Sequence, residues 1–227
     1  MKFLLTNDDG IDAPGLATLE RVAASFGEVT VVAPAEHQSG CSHQVTWDDP
    51  VTLTEVGKRR YKLDGKPADC VRVGLQAFPE TDWVLSGVNA GANLGFDIYY
   101  SGTVAAAREA TAQGTRSIAL SAYHRGPLAW PAVGEHVGPI LRDLLARDLP
   151  AGSLWNVNFP DFASVTGPPE RVDCRPDCSP MPARYVRDGD GFTNQWDYGS
   201  RTRLPGRDID LCFGGAITVS ALAQPGD

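Results

Sequence analysis

The most constraining feature of this sequence is an alternation of short, continuously apolar runs with segments whose apolar residues recur at helical spacing. Lys2–Thr6 is an apolar run that stops at Asn7-Asp8-Asp9-Gly10; Pro14 then opens a segment in which Leu16, Leu19, Val22, Ala23 and Phe26 share one helical face, closed by Gly27. Val29–Ala33, ended by Pro34, reads as the next buried strand. The pattern returns with Trp83–Leu85 as strand, an Ala-rich helix over Thr103–Gln113 closed by Gly114, and Ser117–Leu120 as strand. It returns again with Val133, Val137, Ile140, Leu141, Leu144 and Leu145 on a helical face before a strand at Leu154–Val157. Strands that are apolar throughout belong to a sheet covered on both faces, and strand–helix alternation makes that sheet parallel with right-handed crossovers. The expected fold class is α/β, a doubly wound, mostly parallel sheet.

The texture changes after about Asp161. Pro and Gly become frequent, helical periodicity fades, and Ala183–Val186 and Phe192–Tyr198 read as hairpin arms around Asp188-Gly-Asp-Gly191. Ala216–Leu222 is a last apolar strand. The organisation expected is a core over 1–160, a hairpin and loop excursion over 161–205, and a return strand to the core within 206–227.

At 227 residues, 42% of them hydrophobic, the chain can bury one substantial core. Its 20 basic and 28 acidic side chains give a net charge of −8, which argues against a protein that wraps a nucleic-acid polymer by neutralising phosphates. An acidic protein that handles a small anion must create positive potential locally, with a bound cation or helix N-termini. The N-terminal apolar stretch is too short for a signal sequence, and no run approaches the roughly 18 residues of a membrane span. Cys41, Cys70, Cys174, Cys178 and Cys212 are odd in number and scattered, so no disulfide framework is expected. Cys174 and Cys178 read as surface thiols. These readings place the protein in the cytoplasm, soluble and away from membranes.

Two polar clusters, Asn7-Asp8-Asp9 and Ser86-Gly-Val-Asn89, each follow an apolar strand and therefore fall on the carboxyl edge of the sheet, where ligands bind in such folds. Adjacent carboxylates repel unless a cation or a proton lies between them, and a divalent ion is the simplest remedy. Oxygen donors favour magnesium or manganese. The motif alone equally fits an Asp-Asp-Gly turn capping the next helix. Ser86–Gly95 supplies small residues and two amide side chains, Asn89 and Asn93, and Tyr100-Ser101-Gly102-Thr103 opens the next helix, so its amides and hydroxyls form an anion site or a plain N-cap. Ser39 lies in the loop after the second strand, flanked by His37 and His43, at no spacing that marks a Ser-His-Asp arrangement.

Several of these segments stand in one order. Asn7-Asp-Asp-Gly10 with Ala13-Pro-Gly15, Val32-Ala-Pro34 with Ser39-Gly40, Gly65-x-Pro67-x-Asp69-Cys-Val71, Ser86-Gly-Val-Asn89 with Asn93-Leu-Gly95, and Tyr100-Ser-Gly-Thr-Val-Ala-Ala-Ala107 resemble the SurE survival-protein nucleotidases. The resemblance is dense over the first 120 residues or so and thin beyond, where Gly206-Arg-Asp208 and Gly215–Ser220 carry it. It implies a Rossmann-like core and one divalent ion per subunit, Mg2+ or Mn2+, held by Asp8, Asp9, Ser39 and Asn89. It also implies a phosphate-binding set of Asn7, Gly40, Asn93, Ser101, Gly102 and Thr103. The activity implied is hydrolysis of nucleoside 5′- and 3′-monophosphates, in some members with short polyphosphate, by a water that Asp8 or Asp9 aligns. A homodimer, or a homotetramer, built partly through the excursion, is implied as well. Where many SurE members carry basic residues, this chain has Ala35-Glu36-His37-Gln38. That loop motivates the competing reading of a nucleotide-binding regulatory module without turnover. A phosphoaspartate mechanism of the haloacid-dehalogenase type wants Asp-x-Asp after its first strand, which Asp8-Asp9-Gly10 does not supply.

Overall fold

β1 (Lys2–Thr6) lies near the middle of a nine-stranded sheet, with Phe3 and Leu5 facing one helical layer and Leu4 the other. The computed structural model describes residues 1–181, 183–195 and 197–223. Residue 196, inside the expected arm Phe192–Tyr198, and residues 224–227 of the expected return segment lie outside the described residues.

From β1 the chain passes through α1 (Pro14–Ala23) to β2 (Glu28–Pro34), which pairs parallel to β1. It continues outward through β3 (Leu53–Gly57) and β4 (Arg60–Leu63), β4 pairing parallel to β2 and antiparallel to β3. After α2 (Pro67–Ala77) it crosses back to the other side of β1 as β5 (Trp83–Ala90). It then proceeds through α3 (Asp97–Tyr100), α4 (Gly102–Ala112), β6 (Arg116–Ala122), α5 (Trp130–Leu144) and β7 (Ser153–Phe159). β8 (Arg171–Asp173), the hairpin β9 (Tyr185–Asp188) and β10 (Gly191–Asn194), α6 (Asp208–Phe213) and β11 (Ile217–Ala223) complete the described chain. The order across the main sheet is β3-β4-β2-β1-β5-β6-β7-β11-β8. β4 to β7 form a parallel block; β11 runs antiparallel to β7, and β8 parallel to β11. The doubly wound, mostly parallel α/β sheet expected from the sequence is the one observed.

The layers explain the continuous apolar strands. Leu16 and Leu19 of α1 and Val133, Val137 and Leu141 of α5 bury Phe3, Leu5, Leu85 and Leu120 on one face. On the other, Cys70 and Val71 of α2 and Ala106 and Ala110 of α4 cover Leu4, Val32 and Val84. Close packing on both sides rules out the polar alternation of a half-exposed strand.

Some expectations needed correcting. β5 does not stop at Leu85: it runs on through Ser86-Gly87-Val88-Asn89 to Ala90, with its register against β6 shifted between Ser86 and Asn89. That cluster is thus the irregular end of a strand rather than a loop after one. At this point α1 comes very close, and a Cβ on Gly15 would lie 1.9 Å from the Val88 carbonyl oxygen, so only glycine fits. The excursion contains β8, which joins the main sheet, and the detached β9–β10 hairpin turns at Gly189, inside the expected turn. Cys178 is exposed, whereas Cys174 is half-buried, its Sγ 3.7 Å from Ser220 Oγ. Among the described residues all five cysteines are free thiols.

Candidate active site at the carboxyl edge of the sheet

Because the chain leaves β1 toward β2 and later returns to its other side as β5, the strand order reverses at the β1/β5 boundary. In open α/β sheets such a boundary is where ligands bind, at the carboxyl ends of the strands. Thr6 and Ser86 are register partners across that boundary, so the residues that follow each are brought face to face. This brings Asp8 and Asp9 beside Asn89 and Ala90 although about eighty positions separate them.

The two acids are held from different sides. Asp8 is buried, at 3% exposure, and accepts hydrogen bonds from the Thr103 amide (3.1 Å) and the Thr103 hydroxyl on α4. Asp9 is partly exposed, and its Oδ2 accepts from the Ala90 amide at the end of β5 at 3.0 Å. Burial pushes the Asp8 carboxyl up from its ordinary value, the Thr103 bonds work against that rise, and the neighbouring charge of Asp9 adds to it. Among the described residues neither acid is ion-paired with a lysine or an arginine; the exposed His37 places Nδ1 3.5 Å from Asp9 Oδ1.

The donor set fits a hard divalent cation. Asn89 Nδ2 donates to the Gly91 carbonyl at 2.8 Å, which fixes the amide and leaves Oδ1 available to a cation. Beneath the acids, Asn7 Oδ1 and Ser86 Oγ are buried without a hydrogen-bond partner among the described residues. No group of three or more His, Cys, Asp or Glu side chains is poised for a metal among the described residues, so a cation here would take two carboxylates and complete its shell with amide, hydroxyl and water oxygens. That is magnesium-like coordination rather than zinc-like.

The other expected residues are distributed as follows. Ser39 and Gly40 are exposed in the loop after β2, which is brought to the acids when the Gln38 amide donates to the Asp8 carbonyl at 2.7 Å. Asn7 is fully buried and donates to the Gly10 carbonyl at 2.8 Å, shaping the turn under the acids. Ser101 is the N-cap of α4, its Oγ accepting from the Val104 amide at 3.0 Å. The N-terminal turn is therefore not an open set of donors: the Val104 amide serves the cap, and the amide and hydroxyl of Thr103 serve Asp8. Gly102 is where the helix meets the acid, since a Cβ there would lie 2.9 Å from both Asp8 Cβ and Cys41 Sγ.

Asn93 belongs to a buried polar network. Its Nδ2 donates to Ser121 Oγ and its amide to Asn158 Oδ1, each at 2.7 Å, while its carbonyl accepts from Asn156 and Asn158. Ser121, Asn156 and Asn158 were not singled out in the sequence, although the Asn-x-Asn spacing at the end of an apolar strand was a visible signal. Lys66 was also missed: its Nζ donates to Gln38 Oε1 at 2.8 Å and returns a positive charge to a loop lacking basic residues. A cleft of about 350 Å3 lined by Glu36, Gln38, Thr46 and Lys66 opens beside that loop. Asp208 lies far away in sequence yet steadies the same edge, accepting from the amides of Gly95 and Asp177.

Fold and site together define a Rossmann-like α/β protein with an acid pair at the switch point of its sheet, one acid gripped by a helix N-terminus. Residues 3–174 match the family model described as Survival protein SurE, and the chain belongs to the SurE family. It is 44% identical over 225 residues to a Synechocystis protein provisionally named a 5′-nucleotidase, covering 98% of this chain and 99% of that one. It is 47% identical over 234 residues to the 5′-nucleotidase SurE of Allorhizobium ampelinum, covering 98% and 91%. The crystal structure of the SurE protein from Aquifex aeolicus superposes with a TM-score of 0.85 at 31% identity, covering all of this chain and 95% of that one.

Proposed function

We propose that this SurE-family chain is a divalent-metal-dependent nucleotidase that hydrolyses nucleoside 5′-monophosphates, and 3′-monophosphates as well, to nucleoside and phosphate. The observation that carries the reading is the Asp8–Asp9 pair, anchored to α4 on one side and β5 on the other, with no lysine or arginine neutralising it among the described residues. Relatives named 5′-nucleotidase SurE at 40–47% identity support the substrate class.

Asp8, Asp9, Ser39 and Asn89 would hold the ion, Mg2+ or Mn2+, one per subunit. Bound there, a divalent cation supplies Lewis-acid charge at the phosphoryl oxygens and makes a water more acidic. Asp8, its oxygens engaged by Thr103, serves as a fixed anchor. Asp9 keeps Oδ1 outside its backbone bond, so it orients the attacking water and takes up its proton. Water oxygen bonds to phosphorus, the ester oxygen leaves with a proton as the nucleoside hydroxyl, and Gly40 and Gly102, whose amides are not among those spent on Asp8 or the cap, would hold the phosphate in place.

Assembly is proposed as a homodimer, or a homotetramer, through the core and the β9–β10 hairpin, where Tyr185, Val186 and Phe192 are exposed. Sedimentation of the intact chain tests it. No helix among the described residues is long and apolar enough to cross a membrane, and we place the protein in the cytoplasm.

The deciding experiment is phosphate release from a panel of 5′- and 3′-nucleoside monophosphates with and without Mn2+ or Mg2+, comparing the natural chain with Asp8→Asn and Asp9→Asn. Metal-dependent release lost in both variants supports the reading. Saturable nucleotide binding by folded protein with no release under either metal replaces it with a binding role.

A further inference from the structure

The loop between β2 and β3, residues 35–52, carries Ser39 and Gly40 and has no regular structure of its own, yet it is pinned at several points. Gln38 donates its amide to Asp8. Ser42, at φ 55, donates its amide to the Tyr100 carbonyl and its hydroxyl to the Tyr99 carbonyl at 2.7 Å. Thr46 binds the Asp69 carboxylate at the start of α2 with its amide and hydroxyl, at 2.9 and 2.8 Å. Between these, His43 Nε2 lies 2.9 Å from Glu109 Oε2 on α4.

Glu109 is an unusual residue for the middle of a packed helix. It is 5% exposed, and its other oxygen accepts from Arg72 Nε on α2 at 2.8 Å and from Gln113 Nε2 at 2.9 Å. The His43 bond, helped by Arg72, holds its carboxyl down to about 2 despite burial, so it stays an acceptor and His43 must be the donor. The helix that presents Glu109 is the one whose first turn grips Asp8 through Thr103. One rigid element thus fixes both an acid of the site and the loop that faces it.

We propose that Glu109 and His43 are a pair of positioning residues: Glu109 holds His43 so that the loop carrying Ser39 and Gly40 is set at the correct distance from Asp8 and Asp9. The inference rests on the cation-binding reading of the site. It differs from a purely structural role for Glu109 as the partner of Arg72, because removing His43 leaves the Arg72 bond intact. Groups that orient metal ligands from behind change affinity by roughly tenfold or more when lost.

The test measures Mn2+ binding by calorimetry and amide hydrogen exchange over residues 38–46, on the intact protein and on His43→Ala, His43→Gln, Glu109→Gln and Asp8→Asn. A glutamine amide reaches about as far as the imidazole Nε2 and can still donate. The expected result is an Mn2+ Kd raised roughly tenfold or more in His43→Ala, with lost protection at 38–46 and a melting transition that is lowered but still cooperative. His43→Gln should return most of the affinity, and His43→Ala added to Glu109→Gln should weaken binding no further than His43→Ala does alone. Mn2+ affinity and loop protection in His43→Ala within twofold of the natural chain would overturn the proposal. Undiminished Mn2+ binding by Asp8→Asn would instead overturn the placement of the cation, while the loop's protection in His43→Ala would still decide the pin.

Discussion

Thr103 donates both its amide and its hydroxyl to the carboxylate of Asp8, the amide at 3.1 Å, across a sequence separation of 95 residues. The positive end of α4 is therefore spent on a carboxylate of the protein itself, which favours a charged Asp8 in a place where burial opposes it. A hydrogen bond to a charged group contributes about 1.5–3 kcal/mol. Thr103→Val, which removes only the hydroxyl, is expected to lower kcat for nucleotide hydrolysis by roughly one to two orders of magnitude, and Thr103→Ser to restore most of it. Steady-state phosphate release checks both.

Gly15→Ala tests the approach of α1 to β5. The added carbon would meet the Val88 carbonyl oxygen at 1.9 Å and Trp130 Cη2 at 2.8 Å, and a backbone carbonyl in a buried strand cannot swing aside. The expected loss is at least about 1–3 kcal/mol, read from the midpoint of urea unfolding at constant m.

Asp208 accepts from the amides of Gly95, Asp177 and Ile209 at 2.8, 2.7 and 2.8 Å, all of them in a buried setting. Asp208→Ala strands those donors, each costing about 1–3 kcal/mol when left without a partner. Unfolding at lower urea and faster hydrogen exchange at Gly95 are expected, with far-ultraviolet circular dichroism unchanged.

Glu109 gives the stability a defined acid limb. Its carboxyl is depressed to about 2 in the folded protein and returns to about 4.3 in the unfolded chain. The folded state therefore binds the proton less well, and the contribution of this group is complete above the unfolded value and lost as pH falls toward 2. The stability difference between the natural chain and Glu109→Gln should shrink steadily over that window. Urea midpoints at pH 5, 4 and 3 measure it, and a constant difference would refute the assignment.

The core was the legible part of the sequence because apolar runs such as Lys2–Thr6 and Leu154–Val157 are what a strand needs when helices cover the sheet on both faces. The acid pair was legible for a related reason: polar residues directly after such a run must fall on the sheet edge. What escaped were elements whose signals are weak one at a time. α2 has Pro67 and Asp69 at its start, but Gly74 interrupts its pattern, and the reason is external, since a Cβ there would lie 2.7 Å from a Leu4 methyl. β3 at the edge of the sheet and β4 beside it are short and partly exposed, as in Arg60-Tyr-Lys-Leu63, and α6 is six residues long, too short for periodicity. The engagement of Thr103 and of Asn93 by distant side chains is a matter of tertiary geometry that no local spacing encodes. The likeness to SurE proteins, by contrast, named residues that the structure brings to one edge of the sheet.

The excursion of the chain from β1 out to β3 and back to β5 has a consequence for biosynthesis. A nascent chain that has emerged only as far as Ala77 already carries both acids and the loop with Ser39, but it lacks the Ala90 amide and the Thr103 turn that hold those acids. Such an incomplete polypeptide therefore has the paired acids without the scaffold that aims them. Turnover becomes available only to molecules whose seventh and later elements have closed against the first, which makes catalytic competence itself a record of completed folding.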